Sequence, residues 1–435
     1  MTSPARRLRH ANRHQGEWRT ESLDQLLPPE HAARSVWAFA EGLDLTPLLE
    51  KIDAVPGRAG APAFDPRVWL AVWLYATVEG VGSSRDLEDL IQNHLAYRWL
   101  AGGLAIGYHT RSDFRTGHGP FLSRLLTETV ATLLAAGVVS LTQVAQDGMR
   151  VRASAGASSF RRHPTLEKCL EEAGQQVKAL ENQTAADGGA AARRSRTARE
   201  RAAGERETRV KEALSVLGDL QKQNAGRAPS RQSEPEKLRA STTDPAARKM
   251  TMPDGGYRPA FNAQFATTTG GGAIVGVAVT TEGTDANQML PMLDQIEERF
   301  GARPAEMLVD GGFAVLEAID EAQAKGTTVY SPVRDAEKQT AAGKDPYARK
   351  KGDTDETAEW RARMNTPAAK ETDKRRASTA EWVNAQVRNR NRYRVTVRGL
   401  AKVETVLLWH AVAHNFGRNV SSQAACPGEG ARPAP

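Results

Sequence analysis

The clearest hydrophobic pattern in the chain is a short apolar run that ends on Asp-Gly, and it occurs twice. Residues 144–149 are Val-Ala-Gln-Asp-Gly-Met, and residues 307–313 are Met-Leu-Val-Asp-Gly-Gly-Phe. Runs of this length predict β-strands, and the glycine lets the backbone leave sharply. A carboxylate at a strand end is held rigidly and is exposed on one side, which suits a ligand of Mg²⁺. A single Asp-Gly is most often only a turn, so the rest of the sequence must show whether these two aspartates have a further role.

Helical patterns dominate the chain before the first of these strands. Residues 23–118 carry several short apolar helices, with Pro66 at the first turn of a strongly apolar one over 68–78. Short helices with arginines near their starts predict either a helix-turn-helix DNA-binding domain or a small bundle that serves dimerisation or docks on the core. The pattern does not choose between them. Under the first interpretation, the arginines that would contact DNA are Arg85, Arg111 and Arg115.

Between the two aspartates, the pattern changes from strand to helix and back. Residues 161–239 are rich in Ala and Arg, and Leu and Val recur at helical spacing near both ends, which predicts an inserted helical hairpin. Its arginines are most simply a solvated face, and contact with a DNA backbone is the minority alternative. Strand patterns return at 261–269 and 273–281, with glycines between them as in a β-hairpin. The elements that follow are a helix over 285–300, the second aspartate strand, a helix over 314–324, a strand over 327–333, a mobile polar loop over 335–373, and helices over 375–391 and 403–416.

Without the inserted hairpin, this order of strands and helices is that of the ribonuclease-H-like fold. In that fold the first and fourth strands lie side by side, so Asp147 and Asp310 should meet. We therefore predict an α/β fold: an RNase H-like mixed sheet with flanking helices, interrupted by a helical hairpin insertion and preceded by an all-α N-terminal domain. The predicted boundaries are 1–20 for a basic arm, 21–138 for the helical domain, 139–420 for the core with its insertion at 160–240, and 421–435 for a disordered tail.

Composition and charge narrow the classes of function. With 435 residues, of which 40% are hydrophobic, the chain can form two or three domains with sizeable cores. It contains no apolar run of the roughly 18 to 20 residues that a membrane span needs, and the arginines before residue 14 have no apolar segment behind them, as a signal peptide would. Two cysteines exclude a disulfide framework and fit a reducing cytoplasm. The net charge of +7 favours a polyanionic partner.

A third acid is expected on the last helix of the core, because two metal ions need more than two carboxylates. Glu381 and Arg388 are two helical turns apart and would share a face. An acid that holds metal beside a cation that holds phosphate suits phosphodiester chemistry, although Glu381 taken alone would be a solvated acid. Residues 370–398 carry nine Lys and Arg against three acids, which is the strongest basic segment in the chain.

In this order, the motifs resemble the insertion-sequence DDE transposases, specifically the eleven-eighty-two group, over about residues 23–419. The segments that carry the resemblance are 82–87, 147–148, 244–250, 256–264, 309–313 and 398–415. The resemblance implies that Asp147, Asp310 and Glu381 form a catalytic triad that holds two Mg²⁺ ions, with Mn²⁺ able to substitute. The residues after Glu381 depart from the family, because Trp382-Val383-Asn384 stands where Pro and a Phe-Gly pair are usual.

The resemblance also implies which cations bind DNA. Arg388 takes the position of a lysine seven residues after the family's glutamate, and Arg376 lies near the family's upstream arginine. Arginine suits both positions because it contacts phosphate through two parallel hydrogen bonds. The cations beside Arg376 that we include in the predicted DNA contact are Lys374 and Arg375.

A bacterial transposase of this kind cuts DNA at the ends of its element and joins the freed 3′-hydroxyl to target DNA. The expected partners are double-stranded DNA, both as terminal inverted repeats and as target, and further copies of the chain in a homo-oligomer. No membrane is expected, and the location would be the cytoplasm, at the nucleoid. Two alternatives stay open: a stand-alone nuclease of the same fold, and a DNA-binding regulator whose transposase core has decayed. Terminal inverted repeats and a short target duplication beside the gene would favour transposition.

Overall fold

A computed structural model describes residues 20–425 except 56, 58–61, 105–106, 183–189 and 391–392. Nearly all of the predicted basic arm, and residues 426–435 of the predicted tail, lie outside the described residues. Residues 421–425 were expected to be disordered, but they continue the last helix. Elongating an existing helix costs little, and Ala and Gln are good helix formers.

The described residues contain helices in the N-terminal region, in the insertion and around the sheet. In chain order these are α1 Ala32–Glu41, α2 Thr46–Leu49, α3 Pro66–Val78, α4 Ser84–Asn93, α5 Leu95–Leu100, α6 Tyr108–Gly117, α7 Gly119–Ala135, α8 His163–Glu181, α9 Ala190–Ala225, α10 Met289–Phe300, α11 Leu316–Ala324, α12 Ala336–Ala341, α13 Asp355–Met364, α14 Pro367–Asn389 and α15 Leu400–Ala425. Short 3₁₀ turns cover Leu23–Leu26, Ala157–Ser159, Pro229–Arg231 and Pro235–Lys237. Among the residues that the structure describes, no helix is long and apolar enough to cross a membrane.

The strands form one large sheet and one small one. They are β1 Gln143–Arg152, β2 Phe160–Arg161, β3 Ala240–Ser241, β4 Arg248–Thr251, β5 Tyr257–Thr268, β6 Ile274–Thr280, β7 Glu306–Leu308 and β8 Thr328–Tyr330. In the large sheet, β1 pairs antiparallel with β5 and parallel with β7, and β8 follows β7 in parallel. Both β4 and β6 pair with β5, and β2 pairs with β3 in the small sheet. This order confirms the RNase H-like mixed sheet predicted from the sequence.

The N-terminal helices and the end of the chain share one hydrophobic core. Helix α15 packs against α3, α6, α7 and β6. Most of α3 is buried, and so is α15 from Val403 to Phe416 apart from Glu404. A helix that is apolar on all sides needs a partner on all sides, which the sheet alone would not provide. Docking on the core, one of the roles considered for the N-terminal helices, is therefore present in the structure.

The predicted insertion is a helical hairpin, in which α8 packs against α9. Its base has a small apolar cluster of its own, separate from the main core, formed by Leu166, Ala213, Leu217 and Ala240. The short β2–β3 pairing closes the base, with Phe160 opposite Ser241. The hairpin thus leaves the core and returns to it at adjacent positions.

The prediction of a mobile loop over 335–373 was wrong, because α12, α13 and the start of α14 lie there. Trp360 anchors this segment: it is 1% exposed, and its indole nitrogen donates to the carbonyl of Ser331 at 3.1 Å. Arg361 and Asp353 form a buried ion pair at 2.8 Å beside it. A single tryptophan and one ion pair can order a segment whose average composition is polar, since a buried aromatic side chain contributes a large apolar area.

Candidate active site where two parallel strands meet

The pairing of β1 with β7 brings the two predicted aspartates together. Ala145 is the parallel partner of Leu308, and each aspartate follows two residues later. Asp147 and Asp310 are therefore at equivalent positions of neighbouring strands. They are close enough for the negative charge of Asp310 to raise the pKa of Asp147.

The expectation that Asp147 ends its strand was wrong. β1 continues through Gly148, which is paired with Gln264, and runs on to Arg152. Gly148 is needed for a different reason than a turn. A Cβ atom at this position would lie 2.4 Å from the Asp285 carboxylate and 2.4 Å from the Gln264 amide nitrogen. The missing side chain makes room for polar groups against the strand.

Both oxygens of Asp147 accept hydrogen bonds. Its Oδ1 accepts from the backbone N–H of Gly148 at 2.8 Å, and its Oδ2 accepts from the side-chain amide of Asn384 at 2.8 Å. Burial raises the pKa of Asp147 to about 6, with a smaller contribution from Asp310. Desolvation by burial is thus a larger cause than repulsion between the two carboxylates.

Asp310 lies just beyond the end of β7, as predicted. Its Oδ1 accepts from the N–H of Gly312 at 2.7 Å, and its carbonyl accepts from the Ser331 hydroxyl at 2.9 Å. These two bonds fix both the carboxylate and the backbone that carries it. Asp310 is half-buried.

Glu381 lies on α14, which contacts β1, β5, β7 and β8. It is exposed, and it is one turn before Asn384, whose amide contacts Asp147. No group of three or more His, Cys, Asp or Glu side chains that could hold a metal is present within the described part of the chain. The aspartate pair offers the oxygen ligands that Mg²⁺ takes, and the structure does not gather Glu381 with it. The assignment of the triad therefore stays a prediction.

Asn384 is a site residue that the sequence did not identify. In the sequence, Asn384 stands out only because it departs from the family pattern after Glu381. In the structure it is buried and is the residue of α14 whose side chain reaches Asp147. Its position three residues after a candidate glutamate was the available signal, because residues three apart are neighbours on a helix.

A second missed feature is a buried polar network on the opposite face of β1 from Asp147. The Oδ1 atom of Asp285 accepts from the side-chain amides of Asn262 and Gln264, each at 2.7 Å. Arg150 contacts the same carboxylate at 3.4 Å. The negative charge of Asp285 makes a small contribution to the raised pKa of the nearby aspartate on β1. Polar residues at alternate positions of both strands were the signal for this network.

The predicted phosphate contacts on α14 divide into an exposed group and one cation near the aspartates. The exposed cations are Lys374, Arg375 and Arg388. Arg376 is mostly buried, and its Nε donates to Asp373 at 2.8 Å. Its positive charge lowers the pKa of Asp147, against the larger effect of burial. The guanidinium of Arg376 would therefore lie beside a substrate phosphate bound at the aspartate pair.

The three N-terminal arginines differ in their surroundings. Arg115 is 5% exposed, and its guanidinium donates to the carbonyl of Gly82 and lies over the ring of Trp73. This burial argues against the predicted DNA contact by Arg115, which instead fastens α6 to the turn before α4. Arg85 is exposed, and the side chain of Arg111 lies outside the described residues.

Comparison with protein families agrees with this arrangement. A family model described as "Transposase DDE domain" matches residues 234–416, and one described as "Transposase domain (DUF772)" matches residues 21–117. No curated protein and no solved structure matched the chain. The matches cover the N-terminal helices and the core from β3 to α15, including Asp310 and Glu381, while Asp147 is placed by its pairing with β7. The eleven-eighty-two group stays a prediction. With both parts of an insertion-sequence transposase present in order, the chain is a member of the DDE transposases.

Proposed function

We propose that this transposase cuts DNA at the ends of its element and joins the freed 3′-hydroxyl to a target phosphodiester in the same site. The observation that supports the proposal is the parallel pairing that sets Asp147 beside Asp310. Two neighbouring carboxylates from distant parts of the sequence, one of them half-buried with a raised pKa, are costly for stability. Such an arrangement is typical of a site with a chemical function.

The residues that would hold Mg²⁺ are Asp147, Asp310 and Glu381. When bound, the cations would polarise the scissile phosphate and would favour ionisation of the attacking water or hydroxyl. Asn384 and the N–H of Gly148 hold the carboxylate of Asp147 in one orientation, so that it is placed before substrate arrives. Glu381 is exposed on α14, one turn before Asn384, and would supply the third carboxylate from there.

The cations of α14 would hold the DNA during both reactions. Arg388, two turns after Glu381, binds a phosphate beside the scissile one, and Arg376 binds nearest to the aspartates. Arg376 already shares its charge with Asp373, so phosphate binding would exchange that partner. Both guanidiniums stabilise negative charge that grows on the phosphate in the transition state.

A nicking assay on duplex DNA that carries the terminal repeats, in Mg²⁺, tests the proposal. We expect Asp147→Ala, Asp310→Ala and Glu381→Ala each to lower the nicking rate by at least about a hundredfold, because each removes a ligand that acts in the transition state. Gel-shift binding of the same DNA should survive in all three. Glu359→Ala, which removes an exposed acid on the neighbouring helix α13, is the matched control and should nick normally.

One observation favours a second candidate, a DNA-binding regulator with a decayed core. The described residues do not gather a third acid with the aspartate pair. Specific binding by a wild-type chain that never nicks would support the regulator and overturn the proposed activity. If nicking survives Glu381→Ala but is lost in Asp373→Ala, the role of third carboxylate belongs to Asp373.

A further inference from the structure

A cavity of about 270 Å³ lies in the seam between the inserted hairpin and the core. We call it the seam cavity. The residues that line it include Cys169, Arg206 and Arg209 from the hairpin and Thr242, Thr243 and Arg398 from the core. Neither α8 and α9 alone nor the core alone would form it. Neither aspartate of the candidate site lines it, and no role assigned so far uses it.

Each hairpin arginine of the seam cavity has a carboxylate within 4 Å, at a distance longer than a direct hydrogen bond. Arg206 donates to Gln176 at 3.0 Å and lies 3.8 Å from Glu172. Arg209 lies 3.7 Å from Glu205, and its Nε is buried without a hydrogen-bond partner among the described residues. A buried guanidinium N–H without an acceptor costs free energy, and a bound acceptor removes that cost.

Arg398 provides the charge on the core side. It lowers the pKa of buried Asp244, although burial of that carboxyl raises it more. Arg398 is also the last cation of the basic segment 370–398, which begins on α14 beside the aspartates.

We propose that the seam cavity binds one phosphate of the DNA backbone, so that the hairpin and the core hold the same strand. Three guanidiniums and the hydroxyl of Thr243 are donors that suit phosphate oxygens, while the hydroxyl of Thr242 donates to the carbonyl of Ser159 at 3.3 Å. The cavity is smaller than the roughly 300 to 1,000 Å³ of pockets for drug-sized ligands, which fits a single phosphate better than an extended cofactor. The inference rests on the proposed function, because it assumes that DNA is bound.

The salt dependence of DNA binding tests the proposal. Fluorescence anisotropy with a terminal-repeat duplex, in EDTA, gives the slope of log affinity against log salt. We expect the double variant Arg206→Gln/Arg209→Gln to bind several-fold more weakly, with the magnitude of the slope lower by about one, as for the loss of one phosphate contact. Lys211→Gln/Lys222→Gln removes the same charge from exposed positions of α9 and is the control. An equal loss in both pairs would show diffuse attraction and overturn the site.

Cys169 provides a reporter inside the cavity. The other cysteine is Cys426, so a Cys426→Ser chain leaves one thiol for iodoacetamide. We expect the duplex to slow alkylation of Cys169 several-fold, and to have no such effect when Arg206→Gln/Arg209→Gln is added. Protection by millimolar inorganic phosphate but not by DNA would assign the cavity to a free anion and overturn the proposal.

The outcomes separate this inference from the proposed function. If the double variant binds DNA like the wild type, and DNA does not protect Cys169 in the chain that keeps Arg206 and Arg209, the seam cavity is overturned as a DNA site and transposition is left standing. A wild-type chain that binds no DNA overturns both. Loss of nicking in Asp147→Ala with normal protection of Cys169 supports both.

Discussion

Asp147 shows how far the chemistry of one residue depends on its surroundings. Its neighbours in the sequence are glutamine and glycine, which give no reason for an unusual acid. In the structure, burial raises its pKa to about 6 and both of its oxygens accept hydrogen bonds. The same acid on an exposed turn would titrate normally.

Stability should therefore depend on pH through Asp147. The pKa of its carboxyl is higher in the folded than in the unfolded chain, so the folded state binds more protons between about pH 4 and 6, and stability falls as pH rises through that window. Asp147→Asn removes the ionisation. Without metal, we expect the variant to gain on the order of 2 to 3 kcal/mol relative to the wild type from pH 4 to pH 8. Urea unfolding in EDTA measures this, and a difference between the two chains that is constant with pH would contradict it.

At the scale of elements, the inserted hairpin behaves as an attachment to the core. Its apolar cluster is separate from the main one, and its two ends are joined by the pairing of Phe160 with Ser241. Few of the contacts that stabilise the sheet pass through it. Two of its arginines, Arg206 and Arg209, line the seam cavity.

Replacement of residues 163–238 by a short Gly-Ser linker should leave the core folded. The ends to be joined are adjacent in the small sheet, so closing the shortened loop costs little. We expect cooperative thermal unfolding within several degrees of the wild type, with retained near-ultraviolet circular dichroism. A broad, non-cooperative transition would show that the hairpin is part of the core. DNA binding by the shortened chain should have a weaker salt dependence.

At the scale of the whole molecule, the N-terminal helices and the core are fastened to each other. Phe39 of α1 contacts Phe416 of α15, and the indole nitrogen of Trp409 donates to the carbonyl of Arg115 at 3.0 Å. The guanidinium of Arg115 extends this junction to Gly82. A DNA contact made by the N-terminal helices would thus be held in a fixed position relative to the aspartate pair.

Arg115→Met tests whether this arginine is structural. The change leaves the Gly82 carbonyl without its charged donor, and we expect unfolding free energy to fall by about 1 to 3 kcal/mol. The salt slope of DNA binding should stay that of the wild type. Lys402→Met, at an exposed position of α15, controls for the loss of a charge and should change stability little. A lower salt slope with normal stability would restore Arg115 as a DNA contact.

The sequence by itself determined the order of the main strands and helices outside residues 335–373, and through that order the RNase H-like sheet in which Asp147 meets Asp310. The order of these elements follows from local patterns, because apolar runs and helical spacing are set within a few residues and can be read without knowing the fold. The inserted hairpin was predicted for the same reason. The resemblance to transposases came from several such patterns in one order.

Only the tertiary structure decided what those residues contact. It placed Asp285 against Gly148, aimed Asn384 at Asp147, buried Arg115 and ordered the segment around Trp360. Each of these depends on a partner far away in the sequence, and burial depends on all neighbours at once. Hydrogen-bond partners and desolvation set the pKa of an acid and the availability of a cation, so the chemistry of the site was fixed by packing that no local pattern contains.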